Sequence, residues 1–410
     1  MNKKEVAEIK RRLKKESCTI QHMCGCYVDA EKNKLVTFSQ KFLNLEEDEF
    51  YKYLEIAGKA LSGTLGNNLL ELEFPIDEEI FKYLNIFKQT LSGTIGKNLL
   101  NMEFPLEQEL SGGTQEFLLQ LRDSKLQDDM LIEEFYQKII ENYNYGENYY
   151  IILIHVAYDI PGKSTDGTEM FDASDEVFEY VLCSICPVHL SKEGLCYNPE
   201  TNHVENRIRD WIVEPPVKGF LFPVFNDRST DIHGVLYYSK KPEDLQPEFI
   251  ENALGCTFPM SAGSQKDTFH AVVMNTLGEE CDYTVVKNIH DNLNEMIEET
   301  KDAPEVPVLT KPEVKRLLAK SGVADEKIEI FDNNFDTIAG EKASFLATNI
   351  AETRKFSIET PDVSIKVNPD RTDLVETKMI DGKQCLVIEI NDQVEVNGVP
   401  VRTLPIGTVE

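Results

Sequence analysis

The amino-acid sequence predicts an α+β fold from three observations. Apolar residues recur at helical spacing, most clearly at Val285, Ile289 and Leu293. A continuous apolar run at 149–156 is typical of a buried strand. Near the carboxyl end, residues 355–400 alternate apolar and polar side chains between turn-forming pairs, a pattern that predicts an antiparallel β-meander.

The chain has 410 residues, a length that suits two or three domains. We expect a mixed N-terminal region at 1–145, a central sheet with helices at 146–300, and a helical pair followed by the β-meander at 310–410. The last boundary rests on the proline-containing, linker-like composition of 301–309.

Periodicity and turn signals place the individual elements. A β-hairpin is expected at 24–38, with its turn near 31–33. Helices are expected at 114–121, 128–142, 265–277, 283–300, 311–320 and 325–334. Further strands are expected at 176–188, 219–225 and 235–239, although 176–182 would also suit the start of a helix.

A tandem repeat occupies 52–79 and 82–109. Both copies contain Leu-Ser-Gly-Thr-x-Gly-x-Asn-Leu-Leu followed by Glu-Phe-Pro. In each copy the pattern predicts a helix, a glycine turn and a short strand that the proline ends. A solenoid needs about three repeats or more, so we expect a duplicated helix–turn–strand unit within the N-terminal region.

The chain is strongly acidic, with 72 Asp and Glu against 42 Lys and Arg and a formal net charge of −30. Such a field repels the phosphates of nucleic acids and anionic lipids, and it favours a basic protein partner. Basic residues concentrate in 1–16, where Val6, Ile9 and Leu13 predict an amphipathic helix that packs on the acidic body.

The sequence also favours a cytoplasmic location. No apolar run reaches the roughly 18 residues that span a membrane, and no apolar secretory signal is recognisable. The nine cysteines are an odd number in a long chain, which is typical of reduced thiols.

Several stretches resemble a Firmicutes family known as domain of unknown function 4317. They include LSGTLGNNLL, DASDEVFEYVLCSICPV, GFLFPVFNDRST and KVNPDRTDLVET. These stretches span nearly the whole chain, so the resemblance is broad. It implies membership of the family and no particular activity, cofactor or substrate. Members of that family hold one LSGT-type unit, whereas this chain holds two.

One group of polar residues suggests a metal-dependent hydrolase or phosphoryl-transfer site. The candidate catalytic residues are His155, Asp159, Asp227, Arg228 and Asp231. Carboxylates and an imidazole at 155–176 are suited to Mg²⁺ or Ca²⁺, and the polar segment 226–231 follows an apolar strand. An enzyme requires His155, Asp159 and Asp227 to converge in one cleft. The alternative is a hairpin in which Asp227 forms the turn.

A second segment suggests nucleotide binding. Residues 157–164 fit a relaxed phosphate-binding loop, in which Gly162, Lys163 and Ser164 would hold phosphates and Mg²⁺. Such a site requires a helix that begins at Lys163, because the helix N-terminus completes the anion site. The acidic, turn-like residues that follow favour a surface turn instead.

The cysteines suggest two metal sites. The first would consist of Cys183, Cys186, His189 and Cys196. The second would consist of Cys18, His22, Cys24 and Cys26. In an extended strand, however, residues three apart face opposite sides. This geometry separates Cys183 from Cys186 and favours buried structural cysteines.

Taken together, these features favour a non-enzymatic binding or regulatory protein whose acidic surface meets a basic protein. The first alternative is the metal-dependent enzyme that uses 155–176 and 226–231. The second alternative is a nucleotide-binding protein that uses 157–164. The sequence identifies no cofactor and does not decide between an enzyme and a binding protein.

Overall fold

The computed structural model describes residues 1–74, 113–163, 169–170, 176–278, 281–303, 305–341, 343–353, 355–390, 394–396 and 399–401. The chain forms two compact units, Met1–Ala262 and Gly263–Glu410. The second copy of the tandem repeat lies outside the described residues, as does Ser164.

The first unit is built around one large antiparallel sheet. The strands of this unit, inside and outside the large sheet, are β1 Ile20–Val28, β2 Lys34–Lys41, β3 Leu69–Glu73, β4 Tyr149–Ile160, β5 Gly162–Lys163, β6 Glu169–Met170, β7 Glu176–Leu190, β8 Leu195–Asn198, β9 His203–Asn206, β10 Trp211–Val213, β11 Lys218–Phe222, β12 Val224–Asn226, β13 Ser229–Asp231 and β14 Gly234–Ser239. Its helices are α1 Lys3–Arg11, α2 Glu47–Ala60, α3 Thr114–Asp123 and α4 Asp129–Asn142.

The strand order in this sheet is β2-β1-β4-β7-β11-β14-β3, and β10 pairs with β7 beside this path. Every neighbouring pair is antiparallel. The β1–β2 pair confirms the hairpin expected at 24–38. Helix α2, the turn after it and β3 confirm the helix–turn–strand prediction for the first repeat copy.

Helices cover both faces of the sheet, and the side chains of each strand alternate between the two faces. On one face, Leu153 and Cys183 pack with α4; we call it the α4 face. On the other, Ile152 and Ile154 pack with α1 and α2; we call it the α2 face. Double burial explains why the central strands are nearly continuous apolar runs.

Apolar side chains of the helices pack against each face of the sheet. Phe135 of α4 meets Phe220 edge to face, with ring centroids 5.8 Å apart. On the α2 face, α1 buries Val6 and Ile9. The predicted basic amphipathic helix therefore packs on the first unit, and its prediction is confirmed.

The second unit combines helices with small two-stranded sheets. Its helices are α5 Ala262–Leu277, α6 Tyr283–Glu299, α7 Lys311–Lys320, α8 Asp325–Ile338 and α9 Ala347–Ile350. Its strands are β15 Val308–Thr310, β16 Ser344–Leu346, β17 Phe356–Glu359, β18 Ser364–Val367, β19 Val375–Ile380, β20 Lys383–Ile388, β21 Val394–Val396 and β22 Val399–Val401. These elements confirm the α+β class, the helical pair and the C-terminal meander.

The three sequence regions, 1–145, 146–300 and 310–410, stay a prediction of domain organisation. In the structure, β1 from the first region pairs with β4 from the second along one sheet. Among the residues that the structure describes, no helix has the length and apolar character needed to cross a membrane.

Gly219 of β11 allows two strands to approach closely, so Gly219→Ala should destabilise the first unit. A Cβ atom there would lie 2.5 Å from the backbone carbonyl oxygen of Cys183 on β7. We expect a loss of about 1–3 kcal/mol in the free energy of unfolding, because backbone cannot yield as a flexible side chain does. Urea unfolding followed by circular dichroism measures this change.

Gly58→Ala is the matched control. Gly58 lies in α2, and a Cβ atom added there meets nothing within 4 Å. We expect this variant to gain about 0.5–1 kcal/mol from helix propensity. An unchanged unfolding midpoint in Gly219→Ala would contradict the packing described for β7 and β11.

Candidate functional site

The predicted catalytic residues lie on different faces of the sheet. His155 is fully buried on the α4 face, where its Nε2 lies 3.6 Å from the Glu179 carboxylate. Burial lowers the pKa of His155, so the ring is neutral at physiological pH. Asp159 is exposed on the same strand, opposite Val177.

Asp227 and Arg228 form the turn of the β12–β13 hairpin. Their φ angles are 51° and 60°, as in the two-residue turns that suit tight hairpins. This confirms the alternative in which Asp227 forms a turn. Arg228 lies near α1, with its guanidinium 3.4 Å from Glu8. The Asp231 carboxylate accepts hydrogen bonds from the Asn226 side-chain amide and from the backbone N–H of His233.

The structure therefore does not bring His155 and the Asp227 hairpin together. His155 faces α4, whereas Arg228 contacts α1 on the opposite face of the sheet. Sequence spacing could not show this, because it does not fix which face a distant hairpin covers. The hairpin does lie beside the end of β4, where Arg228 donates a hydrogen bond to the Pro161 carbonyl at 3.3 Å. A metal-dependent site at 155–176 and 226–231 stays a prediction.

The backbone at Gly162 and Lys163 also differs from that of a phosphate-binding loop. Gly162 and Lys163 form strand β5, which pairs with β6. A strand begins where the phosphate loop requires a helix, so the backbone at these two residues forms a ladder and does not curl around an anion. The structure gives no support to a nucleotide site at Gly162 and Lys163.

The CxxC pair is split as strand alternation requires. Cys183 is buried on the α4 face and Cys186 on the α2 face, so the two thiols cannot bind one metal ion. Cys24 and Cys26 are buried with Cys183, while His22 hydrogen-bonds Ser39 at 2.8 Å. The described residues hold no group of three or more His, Cys, Asp or Glu side chains that could bind a metal.

A different surface arises because β7 is longer than most of its partners. β11 pairs with β7 between Val181 and Ile185. The end of β7, from Val188 to Leu190, pairs with the short strand β10. No described strand pairs with the other edge of β10. An open strand edge can accept a further strand.

The hydrogen bonds of β10 show which backbone groups point outward. Ser191 N–H donates to the Asp210 carbonyl, and Glu214 N–H donates to the Pro187 carbonyl, both at 2.8 Å. Since backbone groups alternate in direction along a strand, Ile212 also points toward β7. The N–H and C=O groups of Trp211 and Val213 therefore point away from the sheet.

Apolar side chains are exposed along this edge. Trp211 is 56% exposed, Ile212 42% and Val213 41%. The neighbouring segment adds the exposed residues Leu190, Leu195, Tyr197, Val204 and Ile208. Exposed apolar residues that form a contiguous patch are typical of interaction surfaces.

A cleft of about 490 Å³ lies between α2 and the end of β10, and we call it the α2–β10 groove. Tyr53 and Tyr150 line it, and their hydroxyl oxygens are 3.2 Å apart. Burial raises the pKa of both phenols, which stay neutral. Val213 and Pro215 line the other side.

The α2–β10 groove has an acidic rim. Three acidic residues of α2 line it, Asp48, Glu49 and Glu55, against two lysines, Lys52 and Lys59. The described lining therefore carries one more negative than positive charge, in keeping with the charge of the whole chain. This composition favours a ligand with positive charge and apolar side chains.

Sequence reasoning did not single out β10. Its signal is brief: the only tryptophan of the chain stands in Trp211–Val213, between Asp210 and Glu214. Aromatic and β-branched residues favour strands. Three residues give too little alternation, however, to predict a strand or its exposure.

The described residues define an α+β protein with an antiparallel sheet, in which the outer edge of β10 has no described strand beside it and adjoins an acidic groove. The chain belongs to the family described as Domain of unknown function (DUF4317), whose model matches residues 1–80 and 76–399. This confirms the family resemblance, while the Firmicutes origin stays a prediction. No curated protein matches the chain. No solved structure matches it either.

Thiol reactivity tests the burial of the cysteines. Burial raises the pKa of Cys24 and Cys26 to about 12, and it also raises the pKa of Cys183 and Cys186. The thiolate is the reactive form, so these four thiols should stay unmodified by a disulfide reagent at about pH 8 until the protein unfolds. Exposed Cys281 should react first.

Mass spectrometry of the modified peptides measures the order of reaction. Cys281→Ser is the control and should remove the fastest phase alone. Rapid native-state modification of Cys183 or Cys186 would contradict their placement inside the two cores.

Proposed function

We propose that this protein is a non-enzymatic binding protein that holds a basic, extended segment of a partner protein against the edge of β10. The observation behind the proposal is that no described strand pairs with the outer edge of β10, which carries the exposed Trp211 and lies beside the acidic α2–β10 groove. A binding role also fits the placement of His155 and the Asp227 hairpin on opposite faces of the sheet.

The proposed mode of binding is strand addition. An extended segment would hydrogen-bond the outward N–H and C=O groups of Trp211 and Val213, which gives affinity that depends little on sequence. Because side chains alternate along a strand, every second side chain of the segment would face the α2–β10 groove. Tyr53 and Tyr150 offer aromatic surface to an apolar side chain there.

Charge would select the partner. A basic segment would be attracted electrostatically by Asp48, Glu49 and Glu55. An acidic segment would be repelled by them and by the net negative charge of the whole chain. Such contacts lie at a solvent-exposed rim, so they contribute more to selectivity and association rate than to affinity. Salt should weaken them.

Titration with a defined peptide tests strand addition. The probe is a synthetic peptide of about nine alternating lysine and valine residues, long enough to cover one edge strand. Trp211 is the only tryptophan, so its fluorescence reports binding at β10 directly. We expect saturable binding that weakens as salt is raised to about 1 M, where the Debye length falls to about 3 Å.

Val213→Pro removes one outward N–H and leaves the pairing of β10 with β7 in place, because proline is tolerated where the N–H faces solvent. We expect an unchanged circular dichroism spectrum and at least about tenfold weaker peptide binding. Val213→Ala is the matched control, since it trims the side chain and keeps the N–H. Equal affinity in Val213→Pro and Val213→Ala would rule out strand addition.

The role of the rim is tested separately. Glu49→Gln combined with Glu55→Gln should lower the affinity for the lysine–valine peptide and should raise the affinity for a glutamate–valine peptide of the same length. Glu251→Gln, an exposed position on the α4 face, is the control and should change neither. Equal binding of both peptides to the wild type would contradict selection by charge.

A further inference from the structure

The tandem repeat places two closely related segments in the first unit. We call 52–79 copy 1 and 82–109 copy 2. The two segments of the family match, 1–80 and 76–399, also divide between the copies. Copy 1 forms most of α2, the turn after it and β3, which pairs with β14. We call the place that copy 1 occupies, with α2 on the α2 face and β3 beside β14, the repeat site.

Hydrogen bonds and a tight turn hold copy 1 in the repeat site. Ser239 N–H donates to the Asn68 carbonyl at 2.8 Å, and the Asn68 side-chain amide donates to the Ser239 carbonyl at 3.0 Å. Gly66 in the turn has a φ angle of 79°, which favours glycine. The sequence of copy 2 has the same residues at these two positions, Gly96 and Asn98.

The residues that copy 1 buries are largely repeated in copy 2. Five buried apolar residues of copy 1 are identical in copy 2: Leu54, Leu61, Leu69, Leu70 and Phe74. Leu72 is replaced by Met102, a substitution that keeps the volume nearly constant. Exposed residues differ more freely, as where Glu55 is replaced by Asn85. The sequence of copy 2 therefore retains most of the contact surface that copy 1 uses in the repeat site.

Two buried alanines of copy 1 have larger counterparts in copy 2. Ala57 and Ala60 are 3% and 1% exposed, and the sequence of copy 2 has Phe87 and Thr90 at these positions. Ala60 packs closely on β11, because a Cβ atom added to Gly219 would lie 3.3 Å from the Ala60 Cβ. Larger side chains in a well-packed core are destabilising. Copy 1 is therefore the preferred occupant.

The connection after the repeat site is short enough for either copy. Phe74 N–H donates to the His233 carbonyl at 3.3 Å, and the Gln115 side-chain amide donates to the adjacent Ile232 carbonyl at 2.9 Å. The end of copy 1 therefore lies close to the start of α3. With copy 2 in the site, 105–112 would make this connection, and eight residues reach up to about 26 Å.

The connection before the repeat site also permits either copy. With copy 1 in the site, 75–112 link β3 to α3. With copy 2 in the site, 45–76 would link the β1–β2 hairpin to copy 2. The entropic cost of closing a flexible loop grows only slowly with its length. Chain entropy therefore excludes neither arrangement.

We propose that copy 1 and copy 2 are alternative occupants of the repeat site within one chain. Copy 1 is the preferred occupant, and copy 2 replaces it when copy 1 is weakened or withdrawn. The exchange would alter the α2–β10 groove, where Asn85 and Gln89 would take the places of Glu55 and Lys59. Exchange within the first unit does not depend on whether a peptide binds β10.

Leu70→Pro tests the replacement of copy 1. Backbone groups alternate along β3, so the Leu70 N–H points toward β14, as the Asn68 carbonyl does. Proline removes this N–H and should expel β3 from the site. Hydrogen exchange with mass spectrometry then follows copy 2, whose peptides differ in mass from those of copy 1. We expect the amides of 99–104 to exchange at least about tenfold more slowly than in the wild type.

A second variant shifts the preference and leaves copy 1 unchanged, so it tests the proposal even where Leu70→Pro fails to fold. Phe87→Ala combined with Thr90→Ala gives copy 2 the small residues that copy 1 buries. We expect protection of 99–104 to rise and protection of 69–74 to fall, each by at least about tenfold.

Asn85→Glu combined with Gln89→Lys is the matched control. It also gives copy 2 two residues of copy 1, but the corresponding Glu55 and Lys59 are exposed. Exchange in both copies should therefore stay as in the wild type.

Three results would overturn the proposal. The first is unchanged exchange at 69–74 and 99–104 in the variant with both alanines. The second is strong protection of both segments at once in the wild type, which would give each copy a site of its own. The third is protection of 99–104 that appears only in a dimer on size-exclusion chromatography, which would place the exchange between chains.

Discussion

The pairing of β4 with β7 is the interaction on which the first unit depends. These are the two longest strands, and they pair along the whole of β4, from Tyr149 to Ile160. Helices cover both faces, so alternate side chains of each strand enter two separate cores. A slip of one residue would exchange the two sets of side chains, and the register is therefore fixed strongly.

The length of β7 also creates the open edge. β7 continues to Leu190, and β10 pairs with that extension while its own other edge has no described strand beside it. Trp211 lies on β10, which pairs with the part of β7 that extends beyond β11. A natural sheet usually protects such an edge. In the described part of the chain the β10 edge is apolar and has no strand beside it, and this is the basis of the proposed binding role.

Much of the fold could be predicted from the sequence, because periodicity is a local property. Apolar residues at helical spacing predict helices such as α4 and α6, and a continuous apolar run predicts strand β4. The separation of Cys183 from Cys186 likewise followed from alternation along one strand. The relation of His155 to Asp227 could not be predicted, because it depends on which face of the sheet a distant hairpin covers.

The α2–β10 groove continues the acidic character of the chain, because its lining has three acidic residues against two lysines. Sequence composition reports only the sum of the charges over the chain. The structure shows that Asp48, Glu49 and Glu55 line one groove, which makes local selection by charge possible.

Amide hydrogen exchange at β10 tests the central claim most directly. In the free protein, the Ile212 amide should be protected by β7, while the amides of Trp211 and Val213 should exchange rapidly. Addition of the lysine–valine peptide should protect Trp211 and Val213 and leave Ile212 unchanged. Exchange at Trp211 and Val213 that does not change when the peptide binds would show that the β10 edge is not the binding surface.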